Sequence, residues 1–403
     1  MKRILIITQY FYPENFKSND LAFELVKRGY EVDALVGIPN YPEGKYFSGY
    51  GIFHKRKEIV NGVRIYRVFQ TPRGKKAGAL GLTLNYLTFV FSSYLWVLWF
   101  ALFRHYDAVF VHEPSPITQG LPAVLLKRLM RIPFYIWIMD IWPDAMSSGG
   151  GIKNKYILNG MTKMVQHIYN HATKILITSK DFASLICKQG DYKEKLVYYP
   201  NWSSDFKKMP ILDVPKFPDG LKIMMAGNLG SAQCIRDVLQ AALLMKDVKE
   251  VKWIFVGDGS EKAYLDDFVR ENNLEDTVFA VGRYPFGCMP AFYEQADAML
   301  ITLRAKFPHL KAVVPARLQS YMSSGKPILG MIDGGTARLI KEAKCGYVAP
   351  AEDVTELVRI IKEEILPHRE AFAKMGVNGR KYFLNNFTLD NCIEHFIKIL
   401  NNE

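Results

Sequence analysis

Short apolar runs separated by helical segments repeat along the chain. The first run, Ile4–Ile7, has no polar residue and is typical of a strand buried in a parallel sheet. After it, Asn19–Arg28 has apolar residues at helical spacing, and Gly29 is a suitable C-cap. The runs EVDALVG, VRIYRV, DAVFVHEP, FYIWIMD and KILITS continue the pattern, with helical segments such as Gly120–Met130 and Lys155–His171 between them. This alternation predicts a doubly wound parallel sheet.

The alternation stops between Trp202 and Gly220 and then restarts. That stretch has three prolines, mixed charge and no sustained period, which predicts an interdomain linker. Beyond it, strands are predicted at LKIMMAG, VKWIFVG, DTVFAVG, AMLITL, KPILGM and CGYVAP, and helices around Val354–Ile365 and Leu389–Leu400. We therefore predict an α/β protein with two Rossmann-like domains whose parallel sheets face each other across a cleft. The expected bounds are residues 1–202, a linker at 203–220, and residues 221–403, with the last helix able to pack back on the first domain.

One apolar run is too long for a strand. Leu80–Phe103 has no charged residue, and a helix of that length would measure about 36 Å, enough to cross a bilayer. A crossing would put strands of one sheet on opposite sides of the membrane, because DAVFVHEP follows within a few residues and no second long apolar run brings the chain back. The alternatives are a helix buried against the sheet and a helix partly exposed on a membrane surface.

Polar and tryptophan side chains on one face of this helix, and basic residues at its ends, favour partial exposure at the inner leaflet. These residues are Asn85, Thr88, Ser92, Trp96 and Trp99 on the face, with Arg73, Lys75, Lys76 and Arg104 at the ends.

Composition and charge narrow the class of protein. The five cysteines are odd in number and never form a CxxC pair, which fits a reducing cytosol and argues against zinc or disulfides. The apolar run at the N-terminus is too short for a signal peptide. The net charge is +12, and residues 1–200 carry all of it, with 26 basic and 14 acidic side chains. Nucleic acid, an anionic membrane or a phosphorylated substrate would suit such an excess. Nucleic acid is the weakest of the three, since no reading helix or RNA-binding motif is recognisable.

In the first predicted domain, candidate chemistry follows two buried strands. His112 and Glu113 end the run DAVFVHE, and Asp140 follows FYIWIM. Because ligands of such sheets bind beyond the carboxyl ends of the strands, all three are expected to face the cleft. A histidine and a carboxylate there could bind sugar hydroxyls or transfer protons, the alternative being a structural histidine.

In the second predicted domain, three glycine-bearing turns share one sheet edge. Gly227 and Gly230, in the turn AGNLGSAQ, allow an anion to approach the backbone at the N-terminus of the next helix. Gly257 follows the next strand, and Arg283 with Tyr284 follows another. No GxGxxG motif follows the first strand of the chain, which disfavours an NAD or FAD enzyme. Ordinary glycine turns are the alternative, but the joint occurrence favours a diphosphate cradle.

Cations follow in the segment FPHLKAVVPARLQSYMSSGKPIL. It holds Lys306, Lys311 and Arg317, and Arg317 is expected near the start of a helix, where its charge opposes the local dipole. A cation in that place favours a bound anion, and a solvated arginine is the alternative.

Taken in order, the motifs YPE, HEP, PNW, GNLG, VGDGS, GRY and SGKP resemble the large retaining glycosyltransferase family 4, of GT-B fold. The stretches GIPNYPEGKYFSGY, HEPSPIT and DIWPDA are similar to bacterial capsule or O-antigen transferases of the N-acetyl-fucosamine type. The resemblance implies hexosyl-type transfer from a nucleotide sugar, expected to be UDP-linked, to a polyprenyl-diphosphate-linked saccharide. It also implies a cytoplasmic protein, peripheral on the inner face of the cell membrane, that needs no metal or cofactor and binds the nucleotide in its C-terminal domain.

The chain departs from the family's pattern at several positions. Asn15 and Phe16 stand where many members have a glycine pair that contacts the diphosphate, which puts that contact of Asn15 in doubt. Asn228 and Gln233 stand where many members have an arginine and a lysine in the glycine turn.

The family's E-x7-E pair is also missing, since Ala312 and Ser320 occupy its positions. We expect Lys311 and Arg317, beside the lost pair, to take over the diphosphate.

The resemblance implies front-face attack, in which the leaving diphosphate helps to deprotonate the acceptor hydroxyl. His112 would contact the donor sugar, and Asp140 or Glu113 would orient the acceptor. Two other functions stay open: a non-catalytic GT-B-like protein that binds a glycolipid or a partner enzyme, and a nucleotide-sugar epimerase, which also uses this fold.

Overall fold

The computed structural model describes residues 2–74, 78–149, 154–306 and 308–401. The chain forms two compact units, Met1–Tyr199 together with Ile393–Glu403, and Pro200–Cys392. Lys75 and Lys76, two of the basic residues next to the long apolar run, lie outside the described residues.

The sheet of the first unit has eight strands in the described residues, with the order β3-β4-β2-β1-β5-β6-β7-β8. The strands are β1 (Arg3–Thr8), β2 (Glu31–Gly37), β3 (Lys57–Val60), β4 (Val63–Val68), β5 (Ala108–Glu113), β6 (Phe134–Ile138), β7 (Lys174–Ile177) and β8 (Leu196–Tyr198). All neighbours pair in parallel except β3, an edge strand that runs antiparallel to β4. The order of strands reverses between β1 and β5, the place where such sheets bind ligands.

Helices connect these strands. They are α1 (Lys17–Lys27), α2 (Ala79–Phe103), α3 (Gly120–Met130), α4 (Asp144–Gly149), α5 (Lys155–His171) and α6 (Phe182–Cys187). The bounds of α3 and α5 are those expected from the sequence.

The second unit has a six-stranded parallel sheet in the described residues, with the order β11-β10-β9-β12-β13-β14. The strands are β9 (Leu221–Ala226), β10 (Val251–Val256), β11 (Val278–Gly282), β12 (Ala298–Thr302), β13 (Ile328–Met331) and β14 (Gly346–Ala349). Its helices are α7 (Ile235–Leu244), α8 (Lys262–Glu271), α9 (Met289–Gln295), α10 (Pro308–Ala312), α11 (Arg317–Ser324), α12 (Gly334–Glu342), α13 (Val354–Arg359) and α14 (Arg369–Asn386), and the last helix, α15 (Leu389–Asn401), belongs mostly to the first unit. Residues Ile360–Ile365 continue α13 as a π-helix. Two Rossmann-like domains are thus confirmed.

The last helix packs on the first unit. In α15, the ring of Phe396 lies edge-on to Phe110 of β5, with the centroids 4.8 Å apart, and also contacts Tyr199. The residues that precede Ile393 in this helix cluster with the second unit.

Helix α2 is a crossover between β4 and β5, two strands of one sheet. Leu80–Phe103 is long and apolar enough to cross a membrane, with a mean hydropathy of 1.7, yet the strands on both sides of it pair in the same sheet. Its inward face combines buried apolar residues, such as Phe89, Val97 and Phe100, with polar residues near the N-terminus of the helix. Gln9 Nε2 donates to Oδ1 of the buried Asn85 (2.5 Å), and the backbone N–H of Thr71 donates to Thr88 Oγ1 (3.0 Å).

The outward face of α2 is an apolar stripe. Only 28% of the most apolar window of the helix is buried. The helix is therefore partly exposed, but Asn85 and Thr88, which were expected to mark the exposed face, bind the protein instead. The stripe consists of Leu80, Leu84, Leu87, Phe91, Leu95, Leu98 and Leu102, and each is at least 44% exposed.

A buried ion pair crosses the first sheet. Asp33 of β2 is fully buried, and its carboxylate accepts hydrogen bonds from Arg64 Nε (2.6 Å) and Tyr106 Oη (2.7 Å). Glu31 on the same strand also binds Arg64 and Arg3, but its side chain is 35% exposed.

We expect Asp33→Ala to lower the free energy of unfolding of the first unit by about 3 kcal/mol, because it leaves a guanidinium and a phenol without their buried partner. The matched variant Glu31→Ala should cost much less, since solvent screens that pair. Urea denaturation of the full chain measures both changes. Equal losses of stability in the two variants would contradict the conclusion that the buried Asp33, and not Glu31, stabilises the sheet.

Candidate functional site

The predicted site residues fall into two groups, one in each unit. His112 and Glu113 end β5, and Asp140 follows β6, its neighbour in the sheet. The register places Glu113 opposite Ile138, and the N–H of Met139 donates to the carbonyl oxygen of Glu113 (3.1 Å). The structure therefore brings these three residues together at the carboxyl edge of the first sheet.

Glu113 is a fully buried carboxyl group. Its side-chain oxygens make no close hydrogen bond among the described residues. Burial raises the pKa of Glu113 well above its usual range, and the nearby charge of Asp140 raises it further, although the backbone N–H groups of Met139, Asp140 and Ser115 act on the carboxyl and lower its pKa in part. The hydroxyl of Tyr169, on α5, is also buried without a partner. Buried polar groups are nearly always paired, so an orphaned neutral carboxyl at this sheet edge is a candidate proton donor or ligand contact.

Burial shifts the pKa values of Asp140 and His112 in opposite directions, and both shifts favour the neutral form of the side chain. Burial raises the pKa of Asp140 to about 6. It lowers the pKa of His112 to about 3, so the imidazole is neutral at neutral pH. Nδ1 of His112 has no partner in the described part of the chain, and its ring lies against Trp137, with the centroids 5.1 Å apart. A neutral imidazole in this position can hydrogen-bond a sugar hydroxyl.

Tyr169 was not predicted as a site residue. It lies on a helix whose apolar residues recur at helical spacing, so the sequence marks it as an ordinary core tyrosine. Only its position near Glu113, whose charge contributes to raising the pKa of Tyr169, distinguishes it.

In the second unit, five of the predicted residues line one pocket of about 370 Å³ at the carboxyl edge of the sheet. The predicted residues are Gly227, Asn228, Gly257, Arg283 and Tyr284, and Val256, Asp258 and Met289 complete the lining. Asn15 is exposed in the loop after β1, in the first unit.

A larger cavity of about 810 Å³ lies elsewhere in this unit, next to Gly220, Leu221 and Pro327. These residues precede or begin strands, so the cavity is at the amino edge of the sheet. The smaller pocket is the better candidate, since ligands of such sheets bind at the carboxyl edge.

Two glycines allow the turns of this pocket to touch. Gly227 and Gly257 have φ of 124° and 148°, which favour glycine. A Cβ atom on Gly257 would lie 1.8 Å from the carbonyl oxygen of Gly227. Only glycine fits there, and the pocket is lined by bare backbone.

Arg317 begins α11 and lies against the first glycine turn. Its Nη2 donates to the carbonyl oxygen of Asn228 (3.3 Å), while Nη1 is buried without a partner among the described residues. A Cβ on Gly227 would lie 3.7 Å from the guanidinium carbon. Arg317 thus presents an unused N–H donor beside the turn predicted to hold a diphosphate.

The other predicted polar residues are already engaged. Gln233 Oε1 accepts from the N–H of Gly230 (3.1 Å) and from Asn228 Nδ2 (3.4 Å), so it braces the turn. Lys311 Nζ pairs with Asp333 Oδ2 at 3.2 Å. The roles of all the predicted site residues stay predictions, and that of Lys311 must compete with this ion pair.

A trio of side chains next to α7 has the spacing of metal ligands. The ligand atoms of Cys234, Asp237 and Glu352 lie within 4.8 Å of one another. Burial raises the pKa of the Cys234 thiol to about 12, although the charge of Arg304 nearby lowers it. A protonated thiol beside a guanidinium is a poor cation site. That no metal is required stays a prediction.

Both units match families of known proteins. Residues 213–382 match the family of glycosyl transferases group 1, and residues 18–202 match the glycosyl transferase 4-like domain. This chain is a glycosyltransferase. The finer subgroup is a matter for the proposal below.

Two curated relatives of this glycosyltransferase cover most of its length. The "Probable glycosyltransferase WbjE" of Pseudomonas aeruginosa is 26% identical over 310 residues, which are 73% of this chain and 74% of the relative. WcaI of Escherichia coli K12, named as a colanic acid biosynthesis glycosyl transferase, is 23% identical over 321 residues, 75% of each chain.

Solved structures confirm the GT-B fold. Sucrose-phosphate synthase from Thermosynechococcus elongatus superposes with a TM-score of 0.76 at 15% identity, covering 100% of this chain and 99% of that one. HepE of Anabaena, solved in complex with UDP, superposes with a TM-score of 0.70 at 14% identity, covering 100% of both chains.

We expect the stability of this glycosyltransferase to fall as pH rises from about 4 to 6, in part through Asp140. Its pKa rises from 3.8 in the unfolded chain to about 6, so the folded state holds more protons across that window. Asp140→Asn removes this contribution and should gain about 1–2 kcal/mol relative to the wild type between pH 4 and pH 7. Urea denaturation at several pH values measures it, and a difference that does not change with pH would count against a buried Asp140 carboxyl.

Proposed function

We propose that this glycosyltransferase moves a sugar, with retention of configuration, from a UDP-linked donor to a polyprenyl-diphosphate-linked saccharide. The donor sugar is of the N-acetylated deoxyhexose type, as in N-acetyl-fucosamine, and the product belongs to a bacterial capsule or O-antigen. The observation that carries the proposal is the glycine-lined pocket with the unused Nη1 donor of Arg317 beside it. The names of WbjE and WcaI, and HepE structures with UDP and UDP-glucose, support it.

The donor's diphosphate would lie on the glycine turns. Bare backbone at Gly227 and Gly257 permits close approach, and Arg317 would offset the negative charge that grows on the leaving group, so no metal is needed. As the new glycosidic bond forms, the bond from the sugar's anomeric carbon to the diphosphate oxygen breaks. The proton of the acceptor hydroxyl passes to the departing diphosphate.

The residues at the edge of the first sheet would hold the sugars. The neutral imidazole of His112 is proposed to hydrogen-bond a hydroxyl of the donor sugar, and Asp140 to orient the acceptor hydroxyl. Glu113, protonated by burial, would act as a hydrogen-bond donor rather than as a base.

The apolar stripe of α2 would place the protein on the inner face of the cell membrane. From Leu80 to Leu102 it runs about 33 Å at 1.5 Å per residue. At its far end Lys57 Nζ lies over the rings of Trp96 (5.4 Å) and Trp99 (5.9 Å), the pairing of aromatic and basic groups that suits a membrane interface. The excess of basic residues in the first 200 residues would strengthen binding to anionic lipid.

A non-catalytic role is the second candidate, favoured by the missing glutamate pair. Ser320, at one of the two positions of the missing pair, has its Oγ 2.9 Å from Ser203 Oγ, so this position serves the packing of its own unit. Incubation with a panel of UDP-sugars and a prenyl-diphosphate saccharide decides between the two. Transfer supports the proposal, an altered free UDP-sugar favours an epimerase, and binding without turnover favours the non-catalytic role.

We expect Arg317→Ala to weaken UDP binding at least ~10-fold, because a charge-assisted hydrogen bond contributes about 1.5–3 kcal/mol. Arg270→Ala is the matched control, since Arg270 is an exposed arginine of the same unit that pairs with Asp267 (3.1 Å) on the surface. Isothermal titration with UDP measures both. Unchanged UDP affinity in the Arg317 variant would remove Arg317 from the donor site.

We also expect Phe91→Glu with Leu95→Glu to reduce binding to vesicles of phosphatidylethanolamine and phosphatidylglycerol at least ~10-fold, because both charges fall within the stripe. Leu244→Glu is the control, since Leu244 is 61% exposed on α7 of the other unit. Vesicle co-sedimentation measures the change. Unchanged vesicle binding, with a dimer that becomes a monomer, would assign the stripe to a second copy of the chain instead.

A further inference from the structure

A guanidinium enclosed by tyrosine rings lies at the carboxyl edge of the first sheet. The Cζ atom of Arg73, in the loop after β4, is 4.9 Å from the ring centroid of Tyr10, 5.3 Å from that of Tyr41 and 5.9 Å from that of Tyr86. Tyr10 follows β1, Tyr41 follows β2, and Tyr86 is on α2. Four separate segments thus converge on one cation, and we call these four residues the Arg73 cluster.

No carboxylate neutralises this cation at contact distance. Among the described residues, no acidic oxygen lies within 4.0 Å of the Arg73 guanidinium, whose recorded side-chain hydrogen bond goes to the Tyr10 hydroxyl. Its Nε is buried without a partner. Cation–π contact with tyrosines stabilises the guanidinium but leaves its charge available.

Glu14 is the acid that acts on Arg73, while Asp140 and Glu113 act on Tyr86, and the backbone already uses Glu14. One carboxylate oxygen accepts the N–H groups of both Asn40 and Tyr41, each at 2.7 Å. Burial raises the pKa of Glu14 to about 7, so at neutral pH its charge is only partly present. Glu14 therefore holds the loop after β2 in place more than it balances Arg73.

Backbone contacts fix the position of Arg73. Its N–H donates to Asn40 Oδ1 (3.3 Å), and the next residue, Gly74, donates to the carbonyl oxygen of Gly44 (2.9 Å). Gly81, in the first turn of α2, lets the helix approach: a Cβ there would lie 2.7 Å from the carbonyl oxygen of Arg73. The cation is thus pre-positioned rather than free to swing on a loop.

The Arg73 cluster adjoins the candidate catalytic residues. Phe16 stacks on Tyr10, with centroids 5.0 Å apart and an interplanar angle of 19°, and also contacts the rings of Tyr41 (5.6 Å) and His112 (6.5 Å). Tyr86, in turn, belongs to the helix whose opposite face is the exposed apolar stripe. The cluster therefore adjoins the candidate catalytic residues and includes a residue of the helix that carries the stripe.

We propose that the Arg73 cluster binds the diphosphate of a membrane-borne prenyl diphosphate, the group that carries the acceptor saccharide. Arginine presents a planar fork of donors that suits phosphate oxygens, and the exposed hydroxyl of Tyr41 can add a further hydrogen bond. A lipid whose chain is in the bilayer that the stripe contacts would have its diphosphate at the membrane surface, where the Arg73 cluster could bind it. This inference rests on the proposed lipid-linked acceptor and assigns the residue that recognises it.

Farnesyl diphosphate, UDP and farnesol are the probes, titrated calorimetrically into the full chain in detergent. We expect Arg73→Gln to weaken farnesyl diphosphate binding at least ~10-fold and to leave UDP and farnesol binding unchanged. The diphosphate of UDP is proposed to bind at the glycine turns of the second unit, and farnesol has no diphosphate. Arg73→Lys should be intermediate, since it keeps the charge and loses the fork. Arg128→Gln, at an exposed arginine of α3, is the control.

Two results would overturn the proposal: unchanged farnesyl diphosphate affinity in Arg73→Gln, or a loss confined to UDP, which would assign Arg73 to the donor. If Arg73→Gln unfolds, the double variant Tyr41→Phe with Tyr86→Phe decides, since it removes only hydroxyls. Weaker farnesyl diphosphate binding by that variant supports the cluster, and unchanged binding refutes it. These readouts need no turnover, so absence of sugar transfer would count against the proposed function without touching this inference.

Discussion

Parallel pairing of β1 with both β2 and β5 decides where chemistry can occur in the first unit. Parallel strands end at one edge, so the loops after β1, β2, β4, β5 and β6 meet there although they are far apart in sequence. His112 is near the end of β5 and Asp140 follows β6, while Tyr10, Tyr41 and Arg73 follow the other three strands. Both the candidate catalytic residues and the Arg73 cluster depend on this one constraint. In the second unit the strands are also parallel, so the glycine turns that follow them likewise meet at one edge of the sheet.

The same pairing explains the unusual composition of α2. A crossover helix between β4 and β5 must lie along one face of the sheet, and its inward side meets loops that leave the sheet edge with unpaired backbone groups. Asn85 and Thr88 bind the backbone N–H and carbonyl groups of Thr71, and Asn85 also accepts from the side-chain amide of Gln9, which is why these polar residues point inward. The leucines are left on the outside, where only an apolar surface can cover them.

Much of the fold could be predicted from the sequence, because buried parallel strands are short apolar runs with few alternatives. The edge strand β3 and the short β8 could not, since the first has four residues of which two are charged and the second has only three residues. In the second unit the glycine turns were visible as motifs, but the ion pair of Lys311 with Asp333 was not, because it joins different segments. Arg73 was noticed only as a basic residue next to an apolar run, since the rings around it come from three other segments.

Arginines in this chain divide by their partners. Arg64, Arg67 and Arg380 are held by carboxylates of Asp33, Glu58 and Asp205, and such pairs fix the packing of their own units. Among the described residues, Arg73 and Arg317 each lie at the carboxyl edge of their sheet, contact rings or backbone instead of a carboxylate, and keep a buried nitrogen without a partner, as Arg67 and Arg304 also do at Nε. A fold that needed these cations only for packing would gain by pairing them, because an unpaired buried donor costs about 1–3 kcal/mol. Their lack of a carboxylate partner is best explained by anions that arrive with the substrates, one diphosphate for each unit.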